Sequence, residues 1–215
     1  MSPPVRIVTV VRPVTHPDAA DVELPSRPDG TVDRYLDALT HVLLRHGLER
    51  ASVADVAAEL GVSRMTVYRQ AGNVEQMVRL LISRELHRLM ETVTPAVAAA
   101  NDADGLVDVM ANVIEFLRDQ PVVRKVLVDE PAVIGTFLVL HLPILLRRTN
   151  AISGPLLETM MEDGRLARQD PAQLADWLSR VVVNTVIAPP PGPIRDHLSF
   201  GVRPVLEAGR TGSAR

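Results

Sequence analysis

Arg64, Met65, Thr66, Tyr68 and Arg69 stand within six residues of one another, directly after Ser63. Two guanidinium groups, two hydroxyls and a methionine at this spacing suit contact with a double-helical polyanion. Arg64 is the leading base reader, since arginine pairs bidentately with guanine O6 and N7. Met65 offers an apolar contact for a thymine methyl. The hydroxyls of Thr66 and Tyr68 suit phosphate oxygens, with Arg69 and Ser52 as further phosphate candidates. Each has a plainer reading beside it. Arg64 could be solvated, Met65 partly packed, Tyr68 a core residue and Ser52 only a helix cap. Val67 takes the inward position of this stretch, which leaves Tyr68 free for phosphate.

The elements that must position these groups lie in residues 52–68. Ser52 is an N-cap with Asp55 in capping-box position, and Val53, Val56, Ala57 and Leu60 recur on one helical face. Gly61 falls where that helix must end in a left-handed residue, and Ser63 caps a second helix. Two short helices around a glycine turn form a helix-turn-helix, whose second helix enters a major groove. The small Ala57 permits the close approach that this requires.

Around this bend the chain reads as helices throughout. Residues 1–30 hold six prolines and read as a flexible arm, whose Arg6, Arg12 or Arg27 could reach DNA. Thr31 is the expected N-cap of a first helix that Gly47 stops, with Tyr35, Leu36, Leu39, Val42 and Leu43 inward. Asn73 and Gln76 predict a second capping box, opening a helix that ends near Val93 before Pro95. Further helices are expected over residues 106–119, 121–129, 131–148, 155–165, 171–188 and 194–208. The spacing thus divides the chain into an arm (1–30), a helix-turn-helix domain (31–76), a connecting helix (77–94), a helical domain (95–208) and a tail (209–215).

Composition narrows the function classes. The chain has 215 residues, 47% of them hydrophobic, and a net charge of −3, so any basic face must be local. There is no cysteine, which excludes disulfides and thiolate-bound metal. No HExxH motif, His pair at i, i+4, glycine-rich phosphate loop, G-x-S-x-G motif or paired-carboxylate signature appears, so neither an enzyme, a metal site nor a cofactor is expected. Glu115, Asp129 and Glu130 read as helix-surface charges. The apolar run at 132–146 would span roughly 22 Å as a helix, short of a hydrocarbon core of about 30 Å. His141 and Pro143 interrupt it, so a buried helix is expected and no membrane partner. Prolines break any leader-like run, and a cytoplasmic protein is expected.

Residues 35–77 resemble the DNA-binding domain of TetR-family transcriptional repressors. The carrying residues are Ser52-Val53-Ala54-Asp55-Val56-Ala57, Gly61-Val62-Ser63, Thr66-Val67-Tyr68-Arg69, then Asn73 and Glu75. Asp170-Pro171, Trp177 and Arg180 before a proline-rich break look like the penultimate helix of many members. The resemblance implies an all-α chain: an N-terminal three-helix DNA-binding domain, then a helical effector-binding and dimerisation domain. It places Ser52, Ser63, Arg64, Met65, Thr66, Tyr68, Arg69, Asn73 and Val74 at the DNA. Two positions depart from the usual pattern. Ala71 stands where an aromatic is common, and Val74 where a lysine commonly grips a phosphate. Backbone N–H groups of the helix after Asn73 could still bind phosphate there.

The same resemblance implies a ligand pocket in the second domain. Its candidate liners are Met110, Ile114, Leu117, Phe137, His141, Met160, Trp177 and Asn184, for each of which plain core is the rival reading. His141 and Asn184 are polar residues in apolar runs, which suits an apolar effector with one polar group. The last two helices carry apolar residues beyond one subunit's evident need. Leu174, Trp177, Val181, Leu198, Val202 and Val205 could therefore form a four-helix homodimer interface, or could pack within one chain. The expectation is a homodimeric repressor binding a palindromic DNA operator and released by a small hydrophobic effector. The alternative is a helical carrier for hydrophobic molecules with little DNA affinity.

Overall fold

The structure, a computed structural model, describes residues 30–131, 135, 139 and 141–208, and every regular element among them is helical. A single 3-10 turn, Gly30–Val32, leads into α1 (Asp33–His46), so Val32 rather than Thr31 occupies the N-cap position. Then follow α2 (Val53–Leu60), α3 (Arg64–Ala71) and the long α4 (Val74–Ala99). The C-terminal part holds α5 (Ala103–Asp119), α6 (Pro121–Asp129) and α7 (Leu142–Glu162). It ends with α8 (Pro171–Ile187), α9 (Ile194–Gly201) and α10 (Arg203–Glu207). The expected arm, Phe137 and the tail beyond residue 208 lie outside the described residues.

Two apolar cores account for this order. One gathers Tyr35, Leu36, Leu39, Val42 and Leu43 of α1 with Val56, Ala57, Val67, Met77 and Leu81. Leu36, Leu39, Val42, Val56, Val67 and Met77 are wholly buried there. At roughly 1.5–3 kcal/mol for each large apolar side chain, this shared cluster holds together short helices that would be marginal in isolation. The other core joins Leu106, Val107, Met110 and Ile114 of α5 to Met160, Leu174, Leu178, Leu198 and Leu206. Helix α4 contributes Met77 and Leu81 to the first and Val97 to the second, so one rod enters both.

Several helix ends differ from the sequence expectation. Helix α4 runs through Pro95 to Ala99, because Val97 and the following Ala100 are buried in the second core. That burial offsets the lost hydrogen bond, which costs about 3 kcal/mol for an interior proline. Helix α7 likewise passes through Pro155, where Gly154 is buried and Leu157 and Met160 anchor the following turn. Helix α5 starts at Ala103 rather than residue 106, capped by Asp102, which accepts from the Gly105 N–H at 2.8 Å. The final expected helix is two pieces: Pro204 at the start of α10 cannot donate back to α9.

Candidate nucleic-acid interface

Local hydrogen bonds build the bend that presents α3. The Ser52 hydroxyl accepts from Asp55 N–H, and the Asp55 carboxylate accepts from the Ser52 N–H (3.1 Å) and hydroxyl (2.5 Å). These bonds, that from the Ser52 hydroxyl first, hold the Asp55 carboxyl below its usual range against a smaller opposing effect of burial. Gly61 ends α2 at φ +64° and ψ +33°, donating to the carbonyls of Ala57 and Ala58. A β-carbon would be strained in that conformation. Ser63 caps α3 by accepting from Thr66 N–H at 3.2 Å. Asn73 and Gln76 form the second reciprocal box, 2.8 and 2.9 Å, at the start of α4.

Packing then fixes which way α3 faces. Val67 and Ala71 are buried, and α3 rests on α2 through them and Ala57. At about 100° per residue, Met65 and Arg69 lie on the opposite side, with Thr66 and Tyr68 flanking them. Met65 is 74% exposed and Tyr68 51%, the former unusually open for so apolar a side chain. Arg64, Arg69 and Gln70 are also exposed. Arg64 and Arg69 form no ion pair with the described residues. The Thr66 hydroxyl is engaged with the Ser63 hydroxyl at 2.9 Å. Val74 packs on the first core from its edge, filling with apolar contact the position where the family resemblance leads one to expect a lysine.

The head is braced on its far side as well. His41 and Arg45 of α1 both engage the Glu59 carboxylate of α2, and Arg45 first, then His41, lowers its pKa. Sequence reasoning missed Arg84, which reaches from α4 to Asp33 (3.3 Å) and Asp37 (2.9 Å) of α1. It also did not single out Gln70, which is exposed beside the buried Val67 and Ala71.

The C-terminal candidates separate. Met110, Ile114 and Met160 are buried in the second core, and Leu117 is half-buried. His141 lies half-buried ahead of α7; burial, then the charge of Arg79, lowers its pKa, while Glu75 opposes. Trp177, 37% exposed, and Asn184 lie on the more open side of α8. The described clefts lie elsewhere. One, about 220 Å³, is lined by Val42, Arg45, His46, Asp55, Ala58 and Glu59. The other, about 390 Å³, lies between α1 and α6.

The dimer-interface candidates need the same correction. Leu174, Leu198 and Val202 are buried inside a single chain, and Val181 and Val205 pack against its core from the edge. Helix α5 packs against this region, so Leu174, Leu198 and Val202 spend their apolar surface within the chain, while Val181 and Val205 keep part of theirs open. Of the candidates, Trp177 (37% exposed) does keep open apolar surface, and Phe200 (86% exposed), which was not among them, keeps more.

Comparison with known proteins agrees with this geometry. Residues 36–81 match the family model of bacterial regulatory proteins, tetR family. The chain is 32% identical over 96 residues to the nucleoid occlusion factor SlmA of Pasteurella multocida, covering 44% of this chain. It spans about half (48%) of the length of that relative. The fold is similar to the TetR family repressor AlkX from a Dietzia strain, implicated in n-alkane biodegradation: TM-score 0.62, 19% identity, 85% of this chain and 97% of that one. It is also similar to the regulator FadR of Bacillus subtilis, solved with stearoyl-CoA: TM-score 0.59, 17% identity, 82% of this chain and 98% of that one.

Proposed function

This chain belongs, by its N-terminal domain, to the tetR family of bacterial regulatory proteins, and from that premise we propose that it is a ligand-responsive repressor. It acts as a homodimer, each subunit laying α3 in a major groove of double-stranded DNA. Two-fold symmetry then calls for a palindromic operator with half-sites one helical turn, or a multiple, apart. The observation that carries the reading is the outward side of α3. Met65 stands open to solvent and Arg64 and Arg69 are unpaired with the described residues, in a chain whose net charge is negative. Unpaired cations beside an apolar side chain match the mixed demand of phosphate, guanine and thymine methyl.

A small apolar effector releases the DNA by binding more tightly to the state whose two heads are out of register with the operator. The second core is rich in Val, Leu and Met, and the similar regulator FadR is a complex with stearoyl-CoA; both support an apolar class. The test is retardation of the DNA upstream of the protein's own gene. Wild-type protein shifts that fragment, and the Arg64→Ala, Tyr68→Phe double variant does not. Equal binding by both removes these residues from the interface. No binding by the wild type to any genomic fragment leaves the carrier reading in its place.

A further inference from the structure

Glu130 follows α6 directly, and its carboxylate reaches across to the turn after α1. Oε2 accepts the Leu48 N–H at 2.7 Å and Oε1 accepts the Glu49 N–H at 3.2 Å. Gly47 makes room for it. Its φ is +80°, and a β-carbon there would lie 2.3 Å from Glu130 Oε1. The turn and the carboxylate fit together only because residue 47 carries no side chain.

This contact fastens the head to the end of α6. Val122, near the start of α6, packs on the head core. Beside these contacts lies the cleft of about 390 Å³ lined by Leu44, Pro121, Arg124, Lys125, Val128 and Asp129. The carboxylate also sits at the carbonyl end of α1, where a helix dipole disfavours negative charge. Two charge-assisted hydrogen bonds hold it there against that field. Ser52, the N-cap of α2, follows Glu49 by three residues, so the turn that Glu130 grips leads straight into the bend that carries α3.

We propose that Glu130 is a positioning residue for DNA recognition: a latch that fixes the orientation of the α2–α3 head against α6. This rests on the DNA-binding reading above. With the latch closed, both heads of a dimer are held in one orientation and little freedom is lost on binding an operator. With it open, the head keeps Met77 and Leu81 of α4 in its core and the Arg84 tie near the other end of α1, and loses its polar fastening to the end of α6.

The full-length protein tests this with Glu130→Ala and Glu130→Gln beside the wild type. Amide hydrogen exchange is read residue by residue, and affinity is read on fragments that the wild type selects from a genomic pool. Glu130→Ala should speed exchange at Leu48 and Glu49 and leave α5 and α8 protected. It should weaken DNA binding about fivefold or more, on the usual scale of coupling between sites. Glu130→Gln, whose amide oxygen still accepts, should recover part of both. Unchanged exchange at Leu48 and Glu49, faster exchange spread evenly over the second core, or unchanged or tighter DNA binding would each overturn the latch. A wild type that selects no fragment overturns the DNA-binding reading and this role with it, while the exchange arm still shows separately whether Glu130 protects the turn.

Discussion

The Arg84 guanidinium donates to the Asp37 carboxylate at 2.9 Å, joining α4 to α1 across 47 residues of chain. Arg84 is a buried charge, its side chain 7% exposed. Burial alone would lower its pKa, but hydrogen bonds to Glu85, Asp37 and Asp33 outweigh that and raise it. Removing the cation leaves three acidic groups facing an emptied site. Because those carboxylates are 43–62% exposed, the loss is smaller than for a fully buried pair. Arg84→Ala should destabilise the protein by about 1–3 kcal/mol, read by urea denaturation. An unchanged midpoint would show that the pairing contributes nothing net.

Asp55 supplies a pH dependence. Its folded pKa is depressed, chiefly by the Ser52 hydroxyl, so the stability it contributes is present above the ordinary carboxylate value of about 4. That contribution fades as pH falls through the lowered folded value. Asp55→Asn should therefore be less stable than wild type at pH 7, and the gap should close toward pH 3. Circular dichroism during denaturation at both pH values measures it. A gap that stays constant would mean that ionisation of Asp55 plays no part.

Phosphate and base contacts on α3 differ in their salt dependence. Arg69→Ala should flatten the slope of log affinity against log salt by about 0.9 if Arg69 meets a phosphate. Loss of discrimination among operator variants, with the slope unchanged, would assign Arg69 to a base edge instead. Val74→Lys restores the cation common at this position in the family, and should steepen the slope by a similar amount. Fluorescence anisotropy across a salt series reads both variants.

Phe200 is 86% exposed on α9, an apolar ring that one chain leaves in water. Burying such a ring is worth about 1.5–3 kcal/mol, and a two-fold interface buries it twice. Phe200→Glu should weaken a homodimer by about a hundredfold or more, and sedimentation velocity should show monomer at micromolar concentration. Leu174→Ala should instead lower stability, because Leu174 lies within the chain's own core. A Phe200→Glu protein that remains dimeric would move the interface elsewhere.

The parts legible in the sequence are those made by bonds between near neighbours. Ser52 with Asp55, Gly61, Ser63 with Thr66, and Asn73 with Gln76 each close within three or four residues, so residue type and spacing suffice to state them. The helix-turn-helix, its inward Val67 and its exposed opposite side follow from such local rules.

Tertiary structure alone decided what long-range contact decides. An amphipathic period says that a face must be covered, never by what. Leu198 and Val202 therefore read as interface, with packing within one chain as the rival, until the core that includes α5 is seen to bury them and leave Phe200 outside. Pro95 and Pro155 read as helix ends, yet the burial of Val97 and Leu157 carries both helices past them. Glu130 read as a surface charge, because its partners are two backbone amides some 80 residues away, and a backbone N–H leaves no mark in a sequence.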